Sequence, residues 1–245
     1  MEFKTIIIGF IILLVIIWLY RYLFSDPTKT NLLTMGKGTE FVKTPYSEIT
    51  GNAESTDFTY TAWIHIDNWN YKMGSDKLLI QRKNIAGEVF PEIKLASSSN
   101  DLIINMSVFS DVGSTSTSNT KLSPQCRISN IPLQKWTHIT MTINNRALDT
   151  YIDGKLVKTC LLSGPPKVDG LADIHICPPN QVSGESGFDG SIAKVQYYSR
   201  SLNPREVYEL YKEGYSDSFF GNLFNKYKLK MSYIKDNVEV GSLEI

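Results

Sequence analysis

WTHITMTINNRALDTYIDGKLVKTC, residues 136–160, is the stretch whose reading decides the fold. It alternates with period two, the spacing that sends successive side chains to opposite faces of a strand. Ile139, Met141 and Ile143 share one face, and His138, Thr140 and Thr142 share the other. Asn144-Asn145 interrupts the run with residues that tolerate a tight hairpin. Leu148, Thr150 and Ile152 resume it as far as Asp153-Gly154, a strong hairpin signal, after which Lys155 to Cys160 leaves as a third strand. Three antiparallel strands with one apolar face need a second layer to cover them. The expectation is a two-layer antiparallel β-sandwich.

Outward from this stretch, other segments fit the same scheme. Phe58 to Asp67 alternates through Phe58, Tyr60, Ala62, Ile64 and Ile66 and reads as a central strand. Residues 39–43, 77–82, 92–96, 101–109, 173–177 and 191–198 supply further strands. Asp111 to Gln125, rich in Ser, Thr and Asn without periodicity, reads as a surface loop. Asn203-Pro204-Arg205-Glu206 sets up a helix start: Asn203 caps, Pro204 suits the first turn, and Glu206 reaches back as the third residue of a capping box. Val207, Leu210 and Tyr211 form its apolar stripe, and Gly214 ends it.

Trp136-Thr-His-Ile-Thr140 with Tyr151-Ile-Asp-Gly-Lys-Leu-Val157 resembles the core of laminin G-like domains of the concanavalin A-like superfamily. Phe58-Thr-Tyr-Thr-Ala-Trp-Ile64 resembles that family's early core strand. Phe188-Asp-Gly-Ser-Ile192 through Tyr197, then Ser201 to Val207, resembles its closing strand and short final helix. The resemblance covers roughly residues 40–214 and implies an all-β, two-layer jelly-roll sandwich with one short C-terminal helix. It does not fix a function, because the fold hosts lectins, hydrolases, receptors and structural modules.

The N-terminus has its own character. Residues 5–20, TIIIGFIILLVIIWLY, carry no charge and lie between Lys4 and Arg21, and Tyr22, Leu23 and Phe24 extend the apolar run. Sixteen to twenty helical residues measure about 24–30 Å, matching a bilayer core. Lys4 and Arg21 can snorkel to headgroups, and Trp18, Tyr20 and Tyr22 suit an aromatic belt. No small-x-small cleavage site follows, so the reading is an uncleaved transmembrane helix rather than a signal peptide. The expected organisation is an anchor at 1–24, a polar linker at 25–38, the sandwich at 39–214 and a tail at 215–245. Arg21, Lys29, Lys37 and Lys43 on one side, against Lys4 and the terminal amine on the other, favour a cytosol-facing main domain. The sequon Asn105-Met-Ser107 falls inside an expected strand and argues little against that side.

Composition narrows the partners. Lys plus Arg equals Asp plus Glu at 25 each among 245 residues, so no global field favours nucleic acid. Cys126, Cys160 and Cys177 show no C-x-x-C spacing; buried free thiols in a reducing setting are the preferred reading, with one disulfide and a leftover thiol left open. The glucanase strand motif Glu-x-Asp-x-x-Glu, which sets two carboxylates on one cleft face, has no counterpart. Glu92 and Asp101 are the only acids on the nearest strands. Gly184-Glu-Ser-Gly187 lacks the glycine of a nucleophile elbow. His65, His138 and His175 occur singly, and His175 with Cys177 lacks a third metal ligand. The reading is non-enzymatic, with no cofactor required.

The resemblance implies calcium at the sandwich rim in some members, with Asp67, Asp173 and Asp189 as oxygen donors here. The family's Gly-x-Ile-Asp-Glu closing strand is Gly190-Ser-Ile-Ala-Lys194 in this chain, which weakens that expectation. For binding, Trp69 and Tyr71 in the loop after the central strand are candidate glycan-stacking or interface aromatics. In the tail, KYKLKMSY sets Lys226, Lys228 and Lys230 opposite Tyr227, Leu229, Met231 and Tyr233; it reads as a hairpin over a sheet edge or as a docking arm. Two functions follow. The first is a structural or docking protein that tethers a protein assembly to a membrane, an architecture resembling membrane-associated virion proteins of large DNA viruses, with capsid proteins as partners. The second is a membrane-tethered carbohydrate-binding domain, calcium-dependent or not. A degenerate hydrolase stands third.

Overall fold

In a computed structural model, the chain is described at residues 3–23, 26–51, 54–109, 120–122, 126–180, 184–216, 230–235 and 238–244. Helix α1 (Phe3–Leu23) is followed by strands β1 (Lys29–Lys37), β2 (Val42–Thr44), β3 (Phe58–Asn68), β4 (Lys77–Lys83), β5 (Val89–Leu95), β6 (Leu102–Asn105), β7 (Ser107–Phe109) and β8 (Thr120–Leu122). Then come β9 (Cys126–Ile128), β10 (Thr137–Asn144), β11 (Ala147–Ile152), β12 (Lys155–Leu161), β13 (Asp173–Ile176) and β14 (Asp189–Tyr198). Helix α2 (Pro204–Glu213) and the hairpin β15 (Lys230–Lys235) and β16 (Val238–Glu244) complete the order.

Two six-stranded antiparallel sheets face each other. The first has the order β1-β14-β3-β10-β11-β12, and the second β2-β13-β4-β5-β6-β9. Residues 136–160 behave as their alternation dictates. Ile139, Met141 and Ile143 lie opposite Ala62, Tyr60 and Phe58 of β3 and are buried between the sheets. Asp153 and Gly154 both take positive φ, +49° and +73°, the requirement of the two-residue hairpin joining β11 to β12. Ile80, Ile93, Ile104 and Ile174 of the second sheet close the core from the other side. A fully buried aliphatic side chain contributes about 1.5–3 kcal/mol, so this shared layer dominates stability.

The outer face of β3 and β10 is also dry. Thr59, Thr61, Thr140 and Thr142 are buried there beneath residues 199–202 and α2. Asn203 caps α2 through a complete capping box, and Val207 sinks into a small cluster with Tyr151, Tyr198 and Leu202. Tyr211 stacks on Trp63 at 5.6 Å, and Tyr215 on Trp136 at 4.4 Å. At Gly190, φ is +152° and a Cβ would strike the carbonyl of His65, so β14 can cross close to β3 only with glycine there.

Two expectations need correction. Residues 29–37 are not linker: β1 pairs with β14 from Lys29↔Tyr198 to Lys37↔Ser191. A register shift between Asn31 and Leu33 places both Leu32 and Leu33 inward of solvent, which hides the period-two signature. The preferred free-thiol reading gives way to the other one: Cys126 on β9 and Cys160 on β12 form a disulfide joining the edges of the two sheets, and Cys177 is the buried free thiol. The transmembrane expectation stands as follows. The backbone of α1 is 21 residues long, and Ile7 to Ile16, Trp18 and Leu19 are exposed on every side. Counted over the described residues, no helix is long and apolar enough to cross a membrane. In the tail, β15 pairs with β16; Lys226 and Lys228, like the loop at 110–119, lie outside the described residues.

The disulfide closes a loop with a sequence separation of 34. Removing it in Cys126→Ala/Cys160→Ala should cost about 3–4 kcal/mol, from the loop entropy restored to the unfolded chain. Urea unfolding of the two proteins side by side measures this; equal midpoints would show that the staple contributes nothing.

Candidate functional site

Strands β13 and β5 alternate between the core and solvent, and their outward residues with those of β4 line a cleft of about 580 Å³ on the second sheet. In β5, Ile93 and Leu95 point into the core while Glu92 and Lys94 line the cleft. Gln81 joins them from β4, His175 from β13, and Asp76, Asn180 and Phe41 from the flanking loops.

Charge on the floor is internally matched. Lys94 Nζ lies 2.8 Å from Glu92 Oε1 and 2.9 Å from Asp76 Oδ2. Glu92 also accepts hydrogen bonds from Gln81 Nε2 and Asn105 Nδ2, each at 2.9 Å. Burial alone would pull the Lys94 pKa down, but its bonds to Glu92 and Asp76 outweigh that and raise it. Lys94 is therefore a firmly held cation. Two neighbouring carboxylates invite comparison with a hydrolase pair, but a general acid must carry a proton to deliver. The Lys94 ammonium between the two instead ties both carboxylates into ion pairs.

The wall of the cleft is aromatic. Phe41 is exposed and stands edge-on to His175 at 5.4 Å. Burial, then the Lys43 and Lys83 charges, lower the His175 pKa against the opposing pull of Asp173. At neutral pH His175 is thus an uncharged ring able to donate or accept. The cleft thus combines one apolar face, a neutral imidazole, two amides and a fixed ion-pair floor.

The residues singled out in sequence lie elsewhere. Trp69 is half-buried, packs against the core and carries Lys77 Nζ 4.3 Å above its ring. Tyr71 donates from its hydroxyl to the carbonyl of Ser186 at 3.0 Å. Both aromatics are turned into the rim. Lys72 and Lys77 are buried beside them, and burial lowers the pKa of each. Lys230 begins β15. Asp67 pairs with His65 at 2.6 Å and Asp173 with Lys43 at 2.7 Å. Asp189 opens β14 opposite Asn68. Among the described residues no group of three or more His, Cys, Asp or Glu could hold a metal ion. Asp101 is tied to Arg127 at 2.7 Å. Phe41, Gln81 and Lys94 escaped the sequence reading; the polar Glu92 and Lys94 alternating with Ile93 and Leu95 were the available signal.

Comparison with known proteins places this geometry in a family. Residues 36–208 match the Concanavalin A-like lectin/glucanases superfamily, in its Laminin_G_3 branch, and the chain belongs to it. Among solved structures, the botulinum neurotoxin serotype D/C VPI 5993 binding domain is 14% identical with a TM-score of 0.52, over 76% of this chain and 46% of that one. The binding domain of botulinum neurotoxin DC in complex with SialylT is 16% identical with a TM-score of 0.51, over 76% and 42%. This chain spans less than half the length of either, and the likeness is one of fold.

One buried group gives a pH prediction. His138 is 1% exposed beneath α2, with Nε2 2.6 Å from Thr61 Oγ1. Burial lowers its pKa from 6.5 to about 3, with Lys194 adding to the effect and Asp153 opposing it. The unfolded chain takes up the proton near 6.5 and the folded chain does not, so stability is full above that pH and falls as pH drops toward 3. At pH 5 the loss from this group should be about 2 kcal/mol. Unfolding free energies from urea titrations at pH 7 and pH 5 should differ by about 2 kcal/mol less in His138→Asn than in the parent; an unchanged difference would contradict the assignment.

Proposed function

We propose that this chain is a non-enzymatic, membrane-tethered binding module whose ligand, an uncharged glycan-like molecule, lies in the cleft over Lys94. The observation that carries the reading is the floor itself: Glu92 and Asp76 are both held by Lys94, and Glu92 is further occupied by Gln81 and Asn105. Such a floor presents hydrogen-bonding edges to a sugar. Phe41 supplies the apolar face on which a ring can lie. A neighbour of the same fold, solved as a binding domain in complex with SialylT, agrees with a binding role.

Tethering is assigned to residues 5–24. In support, this run is uncharged but for Arg21, its backbone is helical through Leu23, and its described side chains are exposed all round, an arrangement that water disfavours and lipid accepts. We further infer that the sandwich lies on the oxidising side of that membrane. The charge bias toward the cytosol amounts to two or three residues, whereas the Cys126–Cys160 disulfide persists only where thiols are not kept reduced.

Docking of a protein assembly, a capsid shell included, is the second reading. The observation favouring it is β12, an edge strand with Leu156 and Val157 exposed, which suits pairing with a strand from a partner.

The test is a glycan array probed with the full chain in detergent micelles. Phe41→Ala, at an exposed position, should weaken binding about tenfold, or about 1.4 kcal/mol, without altering the unfolding midpoint. Absence of any glycan ligand, or equal binding by the variant, would contradict the cleft assignment. Release of reducing sugar ends from a bound polysaccharide would contradict the non-enzymatic one.

A further inference from the structure

The most exposed large apolar side chains of the described sandwich are Ile85, which is fully exposed, Leu161 at 75% and Leu171 at 70%. They sit on three different loops or strand ends, yet hydrogen bonds link those segments to one end of the molecule. Ile85 tips the β4–β5 hairpin, where Asn84 Nδ2 donates to Asp169 Oδ2 at 3.1 Å. The other oxygen of Asp169 accepts from the backbone of Leu171 at 2.9 Å. Gly170 abuts Glu54 so closely that a Cβ there would lie 2.7 Å from Glu54 Cγ, which brings in the loop at 49–57. The same loop reaches the end of β12: Asp57 accepts from Asn145 N at 2.7 Å, and Arg146 O accepts from Leu162 N at 2.8 Å.

That end is also where α1 joins. Thr50 in the 49–57 loop donates to Lys29 O at 2.7 Å, at the start of β1. Asp26 is pinned there by Arg200 Nη2 at 3.0 Å and by the side chain and backbone of Thr28. Only three residue steps separate Asp26 from Leu23, the last residue of α1, a reach of at most about 11 Å. A helix ending at a bilayer surface therefore brings this end of the sandwich to the headgroups, a layer several ångströms deep on each side.

We propose that Ile85, Leu161 and Leu171 insert into the interfacial layer of the same bilayer, so that the sandwich stands against the membrane on a three-point apolar rim. The inference rests on the tether reading above. The nearby charges suit the site, because they are largely paired: Lys167 with Glu88 at 2.9 Å, and Arg200 with Asp26 and Glu206. Neutralised pairs cross into the headgroup layer at lower cost than free ions, while the isobutyl and sec-butyl tips reach deeper. The contact would fix the direction in which the cleft looks, a restraint that a short connector alone does not provide.

Depth-dependent quenching tests it. The full chain, carrying an environment-sensitive fluorophore on Ile85→Cys, Leu171→Cys or Met73→Cys, is reconstituted in phosphatidylcholine vesicles with bromine near the top of the acyl chain. Met73, also exposed and apolar, lies at the far end, where Gly74 N bonds Ser97 O beyond β5. Labels at 85 and 171 should shift to the blue and lose fluorescence, and the label at 73 should do neither. A fourth label on Val15→Cys, read in vesicles whose lipid carries bromine near the end of the acyl chain, reports the tether. Quenching at 15 with no difference between 85, 171 and 73 would overturn the contact and leave the tether standing; no quenching at 15 would overturn both.

Discussion

Everything in this molecule depends on two apolar sheet faces being held against one another. Phe58, Tyr60, Ile64, Ile139, Met141 and Ile192 from one sheet meet Ile80, Ile93, Ile104 and Ile174 from the other. Because strand side chains alternate, the burial of one face commits the opposite face to a separate use. On the first sheet that opposite face is spent on structure: buried threonines, His138 and Trp63 lie beneath α2. On the second sheet it remains open to solvent and becomes the cleft. The asymmetry follows from which sheet receives the C-terminal helix, and a capped helix seated by Val207 settles it.

In the cleft, electrostatic pairing takes up the acidic side chains. A carboxylate pair can serve as acid and base only if the surroundings push their proton affinities apart. Here Lys94 sits between Asp76 and Glu92, and amide donors from Gln81 and Asn105 take up further lone pairs on Glu92. The ligand-facing chemistry left over is that of hydrogen-bond edges and one aromatic face. In this member of a superfamily that includes glucanases, both acids of the cleft floor are committed to Lys94.

Sequence carried much of the architecture because period-two alternation and hairpin chemistry are local. The strands from 136 to 160, the Asp153-Gly154 turn and the Asn203 capping box all follow from residues near in sequence, and each is found as read. What escaped was non-local or irregular. β1 was concealed by its register shift, the disulfide depends on two sheet edges meeting, and a cation such as Arg82, 1% exposed beside Tyr197, breaks any polar-out rule. The candidate site was least legible. Trp69 and Tyr71 attract notice as aromatics in a polar loop, but only the fold shows them turned inward beneath Lys77 and against Ser186. Phe41 precedes a three-residue strand, and nothing in its neighbours announces that it faces His175.

A sandwich with one open face gains from being held at a surface, since tethering raises the local concentration of every copy and limits the directions it samples. The uncharged N-terminal run and the short step from Leu23 to Asp26 are the parts of this chain suited to that task. The most direct measurement is density-gradient flotation of the full chain with lipid vesicles after an alkaline carbonate wash, which strips peripheral proteins and leaves spanning ones. The account predicts that the chain floats with the lipid and that a chain lacking residues 1–24 stays at the bottom, folded. Recovery of the full chain in the washed, lipid-free fraction would contradict it.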